Sequence, residues 1–478
     1  MSNLLKNSII YTIGNIINSL IGLILLPIYT RFLTVNDFGK TNSIQTISSI
    51  LIIIFPLAME RSIYRIYHDY DTEQEKKKYL GSVFFSILFF GIIGVLISIV
   101  FRNSIFKYFN EIDFYPILFN VILYSFLCTI VSFSQVVAQV KENAKQFIAI
   151  SILTLVCTTL FNIYFIVYKN EGILGYTKGQ LYGTLCMIPI VLVYIYRSIS
   201  VSFIFEVLIK SLTFSIPFLP SLLGSWVTNL SDRLFIGHSY TQADVGIYSL
   251  AYKISGLVLF ISGAIFSAYN PIFFKLANEK DTDINIKINL IYKYNKFILS
   301  LTFLIGIVLL SISDLALAIF FNKTYLVSYQ FIPLLIYSFI INQLTGLFNL
   351  MIYQSKKTKY VIYSMVLTSL LNLLLNYYFL KQMGVIFAAF STFLVILINF
   401  IFVYFIAKKS FFVNIAWSKF LLLTGSFLII YFENRIIFDF NFLFKVILKF
   451  FTVLVIFIFF RRDFYKLFKF YKSKEVNS

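Results

Sequence analysis

The sequence predicts an all-α integral membrane protein with about 14 transmembrane helices, and three observations support this fold class. Hydrophobic residues make up 59% of the 478 residues, and only 13% are charged. The mean hydropathy is +0.86. The apolar residues occur in long uninterrupted runs rather than in short alternating ones. Such a chain has too little polar surface to cover a water-soluble body, which excludes a soluble enzyme, a secreted disulfide scaffold and a disordered protein.

The strong candidate spans are stretches without Asp, Glu, Lys or Arg. About 20 apolar residues cross the hydrocarbon core as a helix, which satisfies its own backbone hydrogen bonds. Twelve such stretches have 17 or more residues: 7–30, 41–59, 79–101, 114–140, 146–168, 179–196, 211–231, 254–274, 297–313, 324–355, 360–380 and 382–407. Two weaker segments, which are not free of charged residues, follow at roughly 418–434 and 438–460, the second interrupted by Lys445 and Lys449. We expect the first span to be an uncleaved helix rather than a signal peptide.

The distribution of positive charge predicts the orientation in the membrane. An even number of spans places both termini on the same side. More than half of the 40 Lys and Arg residues lie in loops on that side, so the positive-inside rule places both termini in the cytoplasm. Topology and attraction to anionic lipids account for the net charge of +19. We expect no nucleic-acid partner, because the chain has no folded basic domain to bind one.

The spans group into two sets of six followed by a final pair. The predicted domains are an N-lobe over 1–197, an amphipathic inter-lobe linker over 198–210, a C-lobe over 211–407, helices 13 and 14 over 408–460, and a basic cytoplasmic tail over 461–478. The motif Thr-x-x-Asp-x-Gly occurs after the first span (34–39) and after the seventh (241–246), each time beyond an arginine-bearing helix end. The lobes are therefore interpreted as parallel repeats related by an axis near the membrane normal.

Charged side chains on the leading helices of the two lobes are the strongest functional candidates. An ionisable group at membrane depth is costly unless it faces water or a partner, so it marks a pathway. The candidates for a cationic substrate-binding cavity are Arg31, Arg61, Arg65, Arg233, Lys253 and Lys275. The candidates for ion coupling are Glu60 and Asp232. The alternative for Arg61, Arg65 and Lys275 is snorkelling to cytoplasmic headgroups, and Asp232 beside Arg233 could be only a helix-end ion pair.

Prolines occur in the same helices. Pro27 lies in the first span, Pro56 in the second, and Pro217 and Pro220 in the seventh. Proline removes an intrahelical hydrogen bond and kinks a helix, so these four residues are candidate hinges. Ordinary packing also tolerates prolines in membrane helices.

The remaining reactive residues do not form a known catalytic or metal-binding pattern. The two histidines, His68 and His238, are interpreted as polar residues at span boundaries. The three cysteines at 128, 157 and 186 lie inside spans without C-x-x-C spacing, so neither a metal site nor a disulfide is predicted. The sequence also has no P-loop, Gly-rich nucleotide fingerprint or serine nucleophile elbow.

Two stretches resemble a known family. Asp232-Arg-Leu-Phe-Ile-Gly237, followed by Val245-Gly-Ile-Tyr-Ser-Leu-Ala-Tyr-Lys-Ile254, is similar to the helix 7–8 signature of the polysaccharide transporters. These Wzx-type O-antigen flippases are a branch of the multidrug/oligosaccharidyl-lipid/polysaccharide (MOP) exporter superfamily. The run from Leu26-Pro27 to Arg31-Phe-Leu, and then Asp37-Phe-Gly39, resembles the first hairpin of the same family.

The resemblance implies a fold and a function. The expected fold is a V of two six-helix lobes around a central cationic cavity, as in MATE and MOP transporters. The expected activity is alternating-access flipping of undecaprenyl-diphosphate-linked oligosaccharide across the bacterial inner membrane, for O-antigen, capsule or exopolysaccharide. Such transport needs no covalent step, so we expect no enzymatic activity and no cofactor. Movement of a substrate against a gradient must be coupled to another process, and we expect a coupling ion, H⁺ or Na⁺. The expected partners are the lipid-linked substrate, membrane lipids, a polysaccharide polymerase and a chain-length regulator.

Three alternatives to this function remain: a peptidoglycan precursor as the substrate, a multidrug exporter, and a membrane glycan polymerase or ligase. Helices 13 and 14 resemble the helices that form a lipid groove in the related lipid II flippases. That branch has several arginines in the middle of helix 1, whereas this chain has only Arg31, near the end of the helix. Peptidoglycan precursor is therefore the poorer substrate. A multidrug exporter of the same superfamily would be expected to line its cavity with carboxylates. A membrane glycan polymerase or ligase would be expected to carry a large outward loop, whereas the loops here are short.

Overall fold

The predicted all-α fold class is confirmed by the computed structural model. It describes residues 21–105, 111–279, 283–436, 444, 446–452, 454 and 461. The chain divides into two compact units, each with its own packing. Unit 1 is Met1–Ser249 with Asn376–Val385, and unit 2 is Leu250–Leu375 with Ile386–Ser478.

Unit 1 contains the first eleven helices, the start of the twelfth and the end of the sixteenth. Its helices are α1 (Ile21–Phe32), α2 (Val35–Ile54), α3 (Glu60–Ile66), α4 (Glu73–Val100), α5 (Arg102–Ile105), α6 (Phe119–Val140), α7 (Ala144–Ile163), α8 (Gly172–Ser198), α9 (Phe205–Ser215), α10 (Leu219–Leu230) and α11 (Asp232–Ser239). Helix α6 packs against α2, α4, α7 and α8. Fully buried apolar side chains such as Ile63, Val83 and Val137 form the core under α3, α4 and α6.

Unit 2 contains the end of α12 and most of the later helices. These are α12 (Gln242–Ser255), α13 (Leu257–Asn278), α14 (Ile284–Phe320), α15 (Ile332–Gln354), α16 (Lys359–Met383), α17 (Ile386–Lys408) and α18 (Trp417–Ile436). Helix α14, at 37 residues, packs against α13, α15 and α18, while α15 packs against α17.

Ten helical segments within the described residues are long and apolar enough to cross a membrane, so this is a multi-pass membrane protein. They are Glu73–Val100, Phe114–Val140, Ala144–Tyr168, Gly172–Ser198, Phe205–Leu230, Gln242–Asn278, Ile284–Phe320, Ile332–Gln354, Lys359–Met383 and Ile386–Lys408. Helix α2 has many buried polar residues, including Asn42, Ser43 and Ser48, and is less apolar than these ten.

Two predicted spans are corrected by breaks in the helices. The prediction for 41–59 fails at its end, because α2 stops at Ile54 and a turn with positive φ at Leu57 (49°) and Ala58 (55°) precedes α3. The span predicted from residue 324 begins instead at Ile332 in α15, after a short 3₁₀ helix (Lys323–Gln330). Pro333 lies in the first turn of α15, where its missing N–H costs no hydrogen bond.

The structure also places the predicted linker and the chain ends. Helix α9 begins at Phe205, inside the linker predicted over 198–210, and only residues 199–204 separate it from α8. Helix α9, which begins in the predicted linker, and helices α10 and α11, which lie in the predicted C-lobe, pack within unit 1. The lobe boundaries themselves stay a prediction. Residues 7–20 of the first span, most of 438–460, and 462–478 of the tail lie outside the described residues.

Candidate functional site

The duplicated Thr-x-x-Asp-x-Gly motif builds two equivalent helix starts. Thr34 Oγ1 accepts a hydrogen bond from the Asp37 N–H (3.0 Å) and donates to Asp37 Oδ2 (2.9 Å) at the start of α2. Thr241 Oγ1 accepts from the Asp244 N–H (3.2 Å) and donates to Asp244 Oδ2 (2.7 Å) at the start of α12. Each threonine thus caps a helix N-terminus, and each aspartate lies in the first turn, where a negative charge is favourable.

The two glycines of the motif bring these helix starts into backbone contact. A Cβ on Gly39 would lie 1.6 Å from the Gln242 carbonyl oxygen and 3.0 Å from the Gly246 nitrogen. A Cβ on Gly246 would lie 2.7 Å from the Val35 carbonyl oxygen and 3.1 Å from the Gly39 nitrogen. Small residues allow membrane helices to approach closely. The repeat seen in the sequence is therefore a site of packing within unit 1.

Asp232 and Arg233 begin α11 and are both buried, at 0% and 4% exposure. Asp232 accepts hydrogen bonds from the Tyr248 hydroxyl (2.7 Å) and from Asn376 Nδ2 (2.8 Å). Arg233 Nη1 donates to the Asn229 carbonyl oxygen (2.9 Å). The two side chains of the family-like stretch are therefore held inside unit 1 by defined partners.

The inner charged group lies on the short helix α3. Arg61 and Arg65 are exposed, and Arg65 forms an ion pair with Asp69, which also accepts from Lys210 Nζ (3.4 Å). The hydrogen bond from Arg65, together with Lys210, lowers the pKa of Asp69. Arg65 therefore already has a partner at the end of α3.

Glu60 differs from its exposed neighbours. Its Oε1 is buried and accepts no hydrogen bond from the described residues. A buried carboxylate oxygen without a donor is costly to keep charged. The two coupling candidates therefore differ in their hydrogen bonding, because Asp232 accepts two hydrogen bonds whereas Oε1 of Glu60 accepts none from the described residues.

The remaining cavity candidates are divided between the units. Arg31, in the last turn of α1, is exposed and makes no ion pair or hydrogen bond with the part of the chain that the structure describes. Lys253 is half-buried near the end of α12, and Lys275 is exposed in the last turn of α13. Arg31, Arg61, Arg65 and Arg233 belong to unit 1, and Lys253 and Lys275 to unit 2. The convergence of all six on one vestibule stays a prediction.

Three of the four candidate hinge prolines lie at helix breaks. Pro56 is in the turn between α2 and α3, Pro217 is in the 3₁₀ turn Ile216–Phe218, and Pro220 is in the first turn of α10. Pro27 lies inside α1. Their role as hinges remains a prediction.

A buried ion pair in unit 2 was not predicted from the sequence. Lys449 Nζ donates to Asp314 Oδ1, and the two side chains are 3% and 8% exposed. The side chain of Glu433, on α18, interacts electrostatically with Lys449. The signals in the sequence were Asp314, which ends one apolar stretch, and Lys449, one of two lysines that interrupt another. The two residues are 135 positions apart, and nothing local to either one indicates that they pair.

The described residues contain no group of three His, Cys, Asp or Glu side chains placed to hold a metal ion. Cys128, Cys157 and Cys186 are free thiols, and His68 and His238 are exposed.

The model of the family described as polysaccharide biosynthesis protein matches residues 4–277. A relative, Lsg locus putative protein 1 of Haemophilus influenzae, is 24% identical over 283 residues, covering 58% of this chain and 67% of the relative.

Two solved structures share the fold. The lipid II flippase MurJ in an inward closed conformation has a TM-score of 0.74 and 17% identity, covering 95% of this chain and 99% of that chain. An inward-facing multidrug resistance MATE family transporter of the MOP superfamily has a TM-score of 0.54 and 11% identity, covering 82% and 98%. At these identities the likeness is one of fold, while the family match covers more than half of the chain. As the resemblance in its sequence predicted, this chain belongs to the polysaccharide biosynthesis protein family.

Proposed function

We propose that this protein is a flippase that moves undecaprenyl-diphosphate-linked oligosaccharide from the cytoplasmic to the outer leaflet of the bacterial inner membrane by alternating access. The observation that carries the proposal is the match of residues 4–277 to the polysaccharide biosynthesis family. The MurJ structure that shares the fold is named for flipping a lipid-linked precursor, which supports the same class of cargo.

The chemistry of the charged residues suits such a cargo. A diphosphate-linked glycan cannot cross lipid unaided, because its charges and hydroxyls would have to leave water. Arginine and lysine side chains can replace that hydration, and the guanidinium fork pairs with phosphate oxygens. Arg31 and Lys275 are exposed and unpaired with respect to the described residues, so both are available to a phosphate.

The alternatives fit the structure less well. A multidrug exporter that takes cations needs a free carboxylate at membrane depth. Among the described residues, Asp232 is engaged by Tyr248 and Asn376, and Asp314 by Lys449. Glu60 alone of the candidates keeps a buried carboxylate oxygen without a hydrogen-bond partner in the described part of the chain, whereas the six cavity candidates are all cationic, which counts against a cationic cargo. For a glycan polymerase or ligase, the described segments between helices offer no large loop that could hold a catalytic centre.

The flippase proposal is tested by alanine variants of Arg31, Arg233 and Lys253 in a strain whose own gene for this protein is deleted. We expect surface glycan to fall at least about five-fold and lipid-linked oligosaccharide to accumulate in the inner leaflet, because each lost cation removes a charge-assisted phosphate contact. Arg197→Ala is the matched control, since Arg197 is exposed at the end of α8. Normal glycan output from all three variants, at normal protein levels, would refute the cationic mechanism.

We also propose that a proton couples transport through Glu60. Its buried and unpartnered Oε1 supports a cycle in which the side chain is neutral in one state and charged in another. Glu60→Gln is expected to keep the fold and to abolish the dependence of flipping on an imposed pH gradient in inverted vesicles. Asp232→Asn is the comparison, and a gradient dependence lost only in Asp232→Asn would move the coupling site to α11. A polysaccharide polymerase and a chain-length regulator are the proposed partners, to be sought by crosslinking in cells.

A further inference from the structure

Unit 1 contains a pocket of about 220 Å³ between α2, α6 and α8. Six of its ten lining residues are Gln45, Ser48 and Ser49 from α2, Tyr124 from α6, and Tyr176 and Gln180 from α8. None of the ten lining residues carries a charge. The pocket is therefore chemically distinct from the arginine and lysine candidates.

Part of the polar wall of this pocket is already satisfied. The Ser48 hydroxyl shares a hydrogen bond with Ser125 (2.8 Å), and Thr177 Oγ1 donates to the Leu174 carbonyl oxygen (3.0 Å). The Ser48 hydroxyl joins α2 to α6, and the Thr177 hydroxyl bonds to the preceding turn of its own helix, α8. They are not the groups that a ligand would use first.

Two amides in the pocket have no such partner. Across the part of the chain that the structure describes, the side chains of Gln45 and Gln180 form no hydrogen bond with protein. An amide offers two donor hydrogens and a carbonyl acceptor, and because Gln45 is exposed and Gln180 is half-buried, both amides are accessible to a molecule that enters the pocket. A partner for both must come from water or from a bound molecule.

The chemistry of the lining selects among ligands. A phosphate would require cations, which the pocket lacks, and a polyprenyl tail would leave both amides unsatisfied. A sugar ring matches, because each hydroxyl both donates and accepts while the apolar ring face can pack on Ile44, Val121 or the Tyr176 ring. The volume equals about seven waters at roughly 30 Å³ each, enough for one sugar ring.

We infer that this neutral pocket of unit 1 is a subsite for one sugar ring of the lipid-linked glycan, held by the amides of Gln45 and Gln180. The inference rests on the proposed flippase function and adds to it a recognition site separate from the cations. The cations bind the diphosphate whatever the glycan is, whereas this subsite gives preference for cargo that carries a sugar.

The protein contains a natural reporter beside the pocket. The chain has two tryptophans. The indole N–H of Trp226, on α10, donates to the Thr46 carbonyl oxygen (3.1 Å) and to the Ser49 hydroxyl (3.0 Å), and Ser49 lines the pocket. In a Trp417→Phe background, Trp226 is the remaining tryptophan, so its emission reports changes at the pocket wall.

The test compares three probes on the purified full chain in nanodiscs. The probes are undecaprenyl diphosphate, its N-acetylglucosamine form and its galactose form, titrated while Trp226 emission is followed. We expect at least one sugar form to bind about ten-fold more tightly than the sugar-free lipid, the gain from one or two good hydrogen bonds. The double variant Gln45→Leu/Gln180→Leu should lose this preference and keep its affinity for the sugar-free lipid.

Controls make the outcomes distinguishable. Gln135→Leu changes a glutamine on the same helix as Tyr124, but Gln135 bonds to Ser151 (3.0 Å) outside the pocket, so this variant should keep the preference. The single variant Gln180→Leu should show part of the loss if the double variant is unstable. If the wild type binds all probes equally, or if the preference for a sugar form persists in the double glutamine variant, the subsite is refuted. Neither result contradicts the proposed flippase function. Binding of none of the probes overturns both proposals.

Discussion

The glycine contact between α2 and α12 predicts that Gly39→Ala destabilises the protein. The new Cβ would lie 1.6 Å from the Gln242 carbonyl oxygen, and Cβ contacts below 3.0 Å are essentially never seen, so the helix starts must separate by roughly 1.4 Å. That movement also strains the buried hydrogen bond from Ser43 Oγ to Gln242 Oε1, now 2.8 Å long.

The magnitude follows from these two effects. Overpacking costs about 1–3 kcal/mol, and an acceptor stranded in the interior costs about 1–3 kcal/mol more. The higher helix propensity of alanine offsets at most about 1 kcal/mol. The expected net loss is about 3 kcal/mol of unfolding free energy.

The assay is thermal unfolding of the purified protein in detergent, followed by tryptophan emission. Gly425→Ala is the matched control, because a Cβ on Gly425 in α18 meets no atom within 4 Å. We expect Gly39→Ala to unfold several degrees below the wild type and Gly425→Ala at or slightly above it. A midpoint for Gly39→Ala equal to that of Gly425→Ala would refute the backbone contact.

Three further predictions can be checked in the same assay. Lys449→Ala leaves Asp314 buried without its ion-pair partner and should lower the free energy of unfolding by about 3–5 kcal/mol. Adding Asp314→Leu should recover most of this stability. An additive loss of stability in the double variant would contradict the ion pair. Trp226→Phe removes the hydrogen bonds to α2 and should cost about 1 kcal/mol, so an unchanged midpoint would argue against them. Thr34→Val and Thr241→Val each remove a helix cap and should each cost about 1 kcal/mol, whereas a loss in only one variant would contradict the equivalence of the two motifs.

Several spans were predictable to within a few residues. The prediction for 114–140 coincides with the segment Phe114–Val140, and 382–407 lies close to Ile386–Lys408. Hydrocarbon thickness sets the number of apolar residues that a helix needs, so a span is largely a local property of the sequence. The predictions failed where a turn interrupts an apolar run, as at Leu57, because an uncharged stretch looks the same whether it is one helix or two.

The candidate site was less predictable. The sequence singled out Asp232 and Arg233 by their charge, but their burial and the partners Tyr248 and Asn376 depend on residues up to 144 positions away. Gln45 and Gln180 were not selected at all, since an uncharged amide in an apolar stretch carries no strong signal. Their importance becomes visible only when three helices surround a pocket.

The sequence alone determined that this chain lies in a membrane as a series of helices, because the balance of apolar and charged residues is a property of composition and order. Tertiary structure decided which residues meet: Gly39 with Gly246, Lys449 with Asp314, and the helix faces that carry Gln45 and Gln180. Those contacts join segments far apart in the chain. They arise from how closely helix backbones can approach and from the need of every buried polar group for a partner, and neither is written in any single stretch of sequence.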